Sequence, residues 1–338
     1  MCGFVGRASK LDFAKEKTWI KDGNLQIKHR GPDGFGFWNS SDRKVELAHR
    51  RLAVIDVSEA ASQPMSNKEL GMTIAFNGEI YNHNEIREKL IKLGYKFTSK
   101  SDTEVLLAAY KEWGLESLDK LNGMFAFVIY DFHKKELFFA RDRAGEKPFY
   151  YYYDGESISF ASELKGLLCN NKIERFINKE SLDCYLSFGF IPGSRCIFSN
   201  IRKLVPGGWL KFSTSSGRLS SGKYWNLPKE NFKKGNLNNL LQEFDCLFKE
   251  SVTRQLEADV PVGVLLSGGL DSSLVTATAS KMKDGIKTFN VRFPGFGSLD
   301  ETEHARKIAK FFGTEHIELD ASTPDPSLLL KLSKQFDE

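Results

Sequence analysis

No stretch of this sequence approaches the roughly 20 consecutive apolar residues that cross a bilayer, so a membrane-spanning helix is not expected. The opening run Met1-Cys2-Gly3-Phe4-Val5-Gly6-Arg7 has no basic segment leading into a long apolar one, which argues against a secretory signal. Neither sign of charge dominates. The 48 basic and 44 acidic residues leave a net charge of +4, too little to point to nucleic acid as the main partner. Cysteine is scarce: Cys2, Cys169, Cys184, Cys196 and Cys246 are odd in number, irregularly spaced and never in a C-x-x-C pair. Zinc and thiol-redox frameworks are therefore unsupported, and a reducing cytoplasm is the simplest compartment. No internal repeat is present. Phenylalanine is plentiful, with 27 residues, which argues for a well-filled core, and 338 residues suffice for two domains of ordinary size.

The first 210 or so residues alternate short strands with amphipathic helices. Strands are expected over Val45–His49, Met72–Phe76, Met124–Tyr130, Leu137–Arg141, Phe149–Tyr153 and Ser157–Ser162, with Asp154-Gly155 as a hairpin turn. Their neighbouring order points to antiparallel pairing. One helix is expected after Asn82, with Glu85 at the capping-box position, Ile86, Leu90 and Leu93 on its apolar face and Gly94 at its end. A second follows Ser101, with Glu104 three residues on, a stripe of Leu106, Tyr110 and Trp113, and Gly114 as its stop. Asp102 then sits in a first turn, where backbone N–H groups favour a carboxylate.

Ser and Gly between Ser213 and Gly222, and polar residues from Lys229 to Asn239, mark a linker over 213–238 between domains at 2–212 and 239–338. Beyond it Leu240, Phe244, Leu247, Phe248, Val252 and Leu256 form a helical stripe. Val262–Leu266, Lys287–Val291 and Glu315–Leu319 read as strands, separated by helices from about Ser272 and over Glu303–Phe312. That alternation implies a parallel sheet.

Removal of Met1 is expected because Cys2 is small, and it would leave Cys2 with both a thiol and a free α-amino group. Such an amine has a reference pKa of ~7.7–8.0, suited to a general base, so no separate histidine is required. Taken alone, Cys2 reads more readily as a small buried residue at a strand start than as a nucleophile. Six blocks then follow in order: Met1 to Gly6, His29-Arg30-Gly31-Pro32-Asp33-Gly34, His49 to Asp56, Phe76-Asn77-Gly78-Glu79-Ile80-Tyr81-Asn82, Ser101-Asp102-Thr103-Glu104, and Arg141-Asp142-Arg143-Ala144-Gly145-Glu146-Lys147-Pro148. Together they resemble the class II glutamine amidotransferases. Arg143, Ala144 and Glu146 depart from residues common in that family, without touching its chemistry.

The resemblance implies an α+β N-terminal-nucleophile hydrolase sandwich of αββα layers. It implies that Cys2 attacks the glutamine side-chain amide, while Asn77 and the Gly78 N–H form the oxyanion hole. Arg51 would hold the α-carboxylate, and Asp102 with Glu79 the α-ammonium. The run Arg51, Leu52, Ala53, Val54, Ile55 would give backbone contacts. These residue types suit those tasks. An oxyanion needs two fixed donors, arginine matches a planar carboxylate, and glycine admits a close backbone.

A second motif joins the strand Val262–Leu266 to a helix: Ser267-Gly268-Gly269-Leu270-Asp271-Ser272-Ser273. Strand, glycine turn and helix N-terminus make an anion site. It is neither a Walker A loop nor a G-x-G-x-x-G turn. It resembles the pyrophosphate loop of the adenylating ATP pyrophosphatases, in a partial α/β parallel-sheet domain. The resemblance implies ATP and Mg²⁺, with Asp271 on the metal, Ser267, Gly268, Gly269, Ser272 and Ser273 at the phosphates, and Leu265 and Val291 framing the nucleotide. Asp300-Glu301-Thr302, after the next strand, are further candidates.

The pairing resembles the glutamine-dependent asparagine synthetases over essentially the whole chain. Sugar-phosphate amidotransferases share the first domain but not the second motif. The resemblance implies substrates glutamine, aspartate and ATP, passage through β-aspartyl-AMP, an internal ammonia tunnel and a homodimer, with no nucleic-acid or membrane partner. That family continues past Gln335-Phe336-Asp337-Glu338, so a truncated synthetase domain is expected. Two alternatives stay open: amidation of another carboxylate, on a sugar or peptide, and a fragment that only hydrolyses or binds glutamine.

Overall fold

In the computed structural model all residues are described except 14–16, 230–234, 295–296, 298–299, 322–325 and 338. The chain divides into two compact units, Met1–Pro228 with Phe336–Glu338, and Lys229–Gln335.

In the first unit, strands β1 (Gly3–Ser9), β2 (Gly34–Asn39) and β3 (Val45–Arg51) are followed by β4 (Met65–Asn67), β5 (Met72–Ile80), β6 (Gly123–Asp131) and β7 (Glu136–Arg141). Then come β8 (Tyr150–Tyr153), β9 (Ser157–Ala161), β10 (Ile201–Lys203), β11 (Gly208–Ser213) and β12 (Leu219–Lys223). Its helices are α1 (Ile20–Gln26), α2 (His83–Lys92), α3 (Asp102–Trp113), α4 (Ser117–Lys120), α5 (Leu164–Leu167) and α6 (Lys179–Phe188). Two six-stranded sheets result, ordered β10-β8-β9-β1-β3-β2 and β12-β11-β7-β6-β5-β4, and every pairing within them is antiparallel.

Apolar residues of both sheets share one core, with Phe4, Val45, Leu47 and Phe160 facing Ala75, Val128, Phe139 and Phe212. Phe139 and Phe160 meet edge to face at 5.0 Å, and Phe4 and Phe149 lie 5.6 Å apart. Each such ring contributes ~1.5–3 kcal/mol by leaving water. The outer face of the second sheet packs on Ile86, Leu90 and the buried stretch Val105–Tyr110 of α2 and α3. The outer face of the first packs on Ile20, Leu164 and Leu167 of α1 and α5. The layers are helix, sheet, sheet and helix, the αββα sandwich expected from the sequence.

The hairpin at Asp154-Gly155 is present, because the Asp154 carboxylate accepts the Glu156 and Ser157 N–H groups at 2.9 and 2.7 Å. Other expectations need correction. Asn82 precedes α2 but does not cap it: its amide donates to the Lys120 carbonyl and accepts the Asn122 N–H, each at 2.9 Å. Leu93 is exposed rather than part of the apolar face. Ser101 does cap α3, accepting the Thr103 N–H at 3.1 Å. Glu104, however, turns back to Thr98 and Ser99 instead of completing a capping box. The expected linker also starts too early, since Leu219–Lys223 pairs with β11 as an edge strand. Of that linker, residues 230–234 lie outside the described residues.

The second unit holds α7 (Leu237–Gln255), β13 (Gly263–Leu265), α8 (Leu270–Met282), β14 (Lys287–Arg292), α9 (Thr302–Phe312), β15 (Glu315–Asp320) and α10 (Ser327–Gln335). The three strands form a parallel sheet, β13-β14-β15, as the alternation requires. The α7 stripe is only partly used: Val252 is buried with Phe248 and Leu256 against it, whereas Phe244 and Leu247 are exposed. No helix among the described residues is long and apolar enough to cross a membrane.

Candidate active site

A cavity of about 160 Å³ opens where the start of β1, the chain after β3, the end of β5 and the N-terminus of α3 converge. Its lining includes Cys2, Arg51, Leu52, Val54, Ile55, Asn77, Gly78, Glu79 and Asp102, so nine of the ten residues named for glutamine chemistry come together. Ala53 is the exception. It lies outside the lining, and its N–H donates to the Asp33 carboxylate at 2.9 Å.

Cys2 enters β1 at its N-terminal end. Its Sγ accepts the Leu52 N–H at 3.3 Å and lies 3.5 Å from the Leu52 carbonyl. Burial pushes the thiol above its ordinary pKa, and the Leu52 N–H opposes that. The Cys2 carbonyl is held by Arg30 Nε at 2.8 Å, and Arg30 is paired with Glu163 at 2.7 Å. Thus Arg30 of the second sequence block anchors the Cys2 backbone. In this structure the α-amino group is on Met1, and burial holds it below its ordinary value.

Asn77 is fully buried, and neither its amide nitrogen nor its amide oxygen has a hydrogen-bond partner among the described residues. An orphaned buried amide costs ~1–3 kcal/mol, a cost that a ligand oxygen in the cavity would relieve. Gly78 beside it is required by the sheet. A Cβ there would lie 2.2 Å from the Met124 carbonyl oxygen of β6. The close approach that calls for glycine is therefore between strands.

Arg51 is buried at the end of β3, with Nη1 donating to the Ser58 carbonyl at 2.8 Å and Nη2 to the Asp56 carbonyl. Two carbonyls fix the guanidinium while leaving its positive charge without a carboxylate in that pairing. Asp102 is the first residue of α3 and is buried. It accepts the Ile80 N–H at 2.9 Å, and burial drives its carboxyl above the usual range. A cation placed against it would reverse that shift.

Several lining residues carried no assigned role from the sequence. Gln63 accepts the Phe76 N–H at 2.7 Å and reaches Thr103 Oγ1 at 3.2 Å, tying the strand that carries Asn77 to the helix that carries Asp102. It is a lone residue in an irregular stretch, and no pattern marks it. Lys147 belongs to the sixth block. It is buried, its Nζ lies 3.3 Å from Met1 Sδ, and burial holds its ammonium below the usual lysine value. Its loop is set by Asp142, which accepts the Phe125, Glu146 and Lys147 N–H groups at 2.9–3.1 Å. Outside the lining, His49 is fully buried, with Nε2 2.9 Å from the Phe76 carbonyl, and burial lowers its pKa to about 4, so it is neutral at pH 7.

In the second unit β13 ends at Leu265, and the loop turns at Gly268, whose φ is +88°. A side chain at Gly268 would also meet the Ala305 nitrogen at 2.6 Å, so both conformation and space demand glycine. Gly269 is the N-cap of α8, and Ser267 Oγ lies 3.1 Å from Ser272 Oγ and 3.3 Å from the Gly269 nitrogen. Ser273 Oγ is buried without a partner among the described residues, and Asp271 stands exposed in the first turn. Leu265 and Val291 are exposed at the C-terminal ends of neighbouring parallel strands. Asp300 bonds Thr302, whose hydroxyl reaches Asn290 at 3.1 Å and holds the Asp300 carboxyl below its usual range. No cluster of three or more metal-ligating side chains occurs among the described residues.

Residues 1–225 match the family described as glutamine amidotransferase domain, and residues 243–331 match asparagine synthase. The chain is 40% identical over 323 residues to glutamine-hydrolysing asparagine synthetase 1 of Bacillus subtilis, covering 94% of this chain and 50% of that protein. It is 32% identical over 306 residues to amidase chry2 of Gibberella zeae, covering 86% and 45%. Glutamine phosphoribosylpyrophosphate amidotransferase from B. subtilis aligns over 98% of this chain and 70% of its own, with a TM-score of 0.48 and 16% identity. The chain thus spans about half the length of the curated relatives named here. It belongs to the glutamine amidotransferase domain family, joined here to an asparagine synthase domain as in the glutamine-dependent asparagine synthetases.

Proposed function

We propose that the first unit hydrolyses glutamine and that its ammonia serves an ATP-dependent amidation of the aspartate β-carboxylate. The observation that carries this reading is the cavity beside Cys2, where an unpartnered buried amide, a carbonyl-held guanidinium and a buried carboxylate meet. Those groups match an oxyanion, an α-carboxylate and an α-ammonium in turn. Glu79 adds a second carboxyl at the ammonium end, and the Leu52 to Ile55 segment lines the side chain.

Once Met1 is removed, the Cys2 α-amine takes the thiol proton while sulfur attacks the glutamine Cδ. Asn77 and the Gly78 N–H bind the resulting oxyanion. Collapse breaks the C–N bond, and the leaving nitrogen takes the proton from the amine and departs as ammonia. Water then attacks the thioester, again with the amine as base, to give glutamate and restore the thiol. A reducing cytoplasm suits a thiol in this role.

The loop from Ser267 to Ser273 is read as the phosphate-binding part of the ATP site. The unpartnered Ser273 hydroxyl, the Gly268 turn and the N-terminus of α8 fit an anion. Mg²⁺ fits as well, because it takes one or two carboxylates with phosphates supplying other positions. Asp271 would hold it, and when bound it would neutralise charge on the pyrophosphate leaving group. Leu265 and Val291 offer apolar surface to the adenine ring, and Asp300, Glu301 and Thr302 lie at the same sheet end. A homodimer and an ammonia tunnel belong to this proposal through the family alone.

The test is glutamate release from glutamine, comparing the chain with Cys2→Ala. Release that disappears in the variant supports the reading. No release by the parent, with Met1 shown removed by mass spectrometry, rejects it. Aspartate-dependent AMP formation by the protein at its natural length tests the acceptor. A second reading is amidation of a different carboxylate, since the groups around Cys2 match the nitrogen donor and leave the acceptor unspecified. AMP formation with other acceptors but not aspartate would establish it.

A further inference from the structure

Arg51 and Asp102 reach the cavity from different elements, and one side chain outside the lining connects them. Asp56 is buried and adopts φ +52°, a left-handed conformation uncommon for a residue with a side chain. Its carbonyl accepts from Arg51 Nη2. Its carboxylate accepts the Ser58 N–H at 3.1 Å and the Ser58 hydroxyl, and the Ser58 carbonyl is the second acceptor of Arg51 at 2.8 Å. Both carbonyls that hold the guanidinium are thus set by the Asp56 turn. The other carboxylate oxygen accepts the Lys100 N–H at 2.7 Å. Lys100 immediately precedes Ser101, the cap of α3, and Asp102, its first residue. The opposite side of that segment is held by Arg87, which donates to the Ser99 and Ser101 carbonyls at 2.8 and 3.0 Å, and by Glu104 on the Ser99 N–H at 2.8 Å.

We infer that Asp56 is a positioning residue that sets the spacing between the carboxylate-binding and ammonium-binding ends of the pocket, and so selects a free α-amino acid. The inference rests on reading the cavity as a glutamine site. Arg87 and Glu104 fix the α3 entry locally, but among the described bonds it is Asp56 that links this entry to Arg51. Charge-assisted bonds to three donors make the link stiff. A zwitterion is recognised only when both ends fit at once, so a loose link lowers affinity for a two-ended ligand more than for a one-ended one.

Asp56→Asn is the test. Asparagine tolerates the left-handed backbone and keeps the size, but one carboxylate oxygen becomes an NH₂ that cannot accept. Ammonia release is measured with glutamine and with glutaramate, which lacks the α-amine. The expected result is a KM for glutamine raised ~10-fold or more, the change that loss of a charged hydrogen bond gives. The kcat should stay within about threefold, and the preference for glutamine over glutaramate should fall by a similar ~10-fold. Ser58→Ala, which removes one donor and keeps the carbonyl, should shift both in the same direction by about threefold; it decides the matter if Asp56→Asn does not fold. An unchanged KM and preference, or a lower kcat alone with the preference intact, overturns the inference, because fewer active molecules cannot alter selectivity. If the parent releases no ammonia, the proposed hydrolysis falls, and calorimetric glutamine binding to parent and Asp56→Asn decides instead. Weaker binding by the variant upholds the inference, equal binding overturns it, and no binding by either overturns both.

Discussion

Around Cys2, Arg51 and Asp102 are buried and held by partners from other elements, with Asn77 buried beside them, whereas around Ser267 the polar groups are largely exposed and bond mainly to one another. Asn77, Arg51 and Asp102 owe their positions to two sheets, a helix start and the Asp56 turn. The Ser267 loop owes its shape to glycine torsions and the first turn of α8, with Asn290 holding the Leu266 carbonyl at 2.9 Å beneath it. The first site is set by tertiary packing and the second by local chain geometry. A preorganised donor acts on the transition state, while a backbone cradle mainly binds.

Two substitutions sharpen that contrast, and a third probes the packing behind it. The largest effect is expected from Asn77→Ala, which removes the oxyanion donor of the proposed mechanism: kcat for glutamate release should drop ~10²–10³-fold with KM little changed. An equal loss through KM would show that Asn77 binds substrate rather than the transition state. Gly268→Ala forces a side chain into a position with φ +88° and against α9. ATP binding, followed by calorimetry with Mg²⁺ present, should weaken ~10-fold or more, in line with ~1–3 kcal/mol of backbone strain. Glutamate release should be unchanged, and a parallel loss would break the separation of the two sites. The smallest effect concerns His49. Burial lowers its pKa from 6.5 in the unfolded chain to about 4 in the fold, so the unfolded chain binds more protons between those values. Its contribution is fully present above pH 6.5 and is lost as pH falls through about 4. Between pH 6.5 and 5 urea unfolding should show a loss of ~2 kcal/mol. His49→Gln, which does not titrate, should flatten that slope.

Much of this was legible because the chemistry is written in short contiguous blocks. Asn77, Gly78 and Asp102, named together from the sequence, line one cavity, and the parallel β13-β14-β15 sheet followed from the spacing of strands and helices. The sandwich's central strand was harder. All seven residues of β1 are buried, covered on both faces, so Gly3–Ser9 shows no alternation. In β2 the alternation runs the unexpected way, with Phe35 and Phe37 outward. Gln63 and Asp56 escaped functional assignment for a different reason. Their importance lies in contacts across 40 and 44 positions of chain, to Thr103 and Lys100, and no local pattern encodes such a link.

The aromatic layer between the sheets has a consequence for catalysis. Cys2 and Arg51 ride on the first sheet, and Asn77 and Gly78 on the second. The spacing between the two sides of the cavity is therefore set by Phe4, Phe139 and Phe160, none of which lines it, and under the proposed hydrolysis that spacing is the gap a tetrahedral carbon must fit. On that reading, the thickness of the greasy interior is a gauge. A smaller ring there would detune the reaction by letting nucleophile and oxyanion donor settle at the wrong separation, with every reacting group still in place.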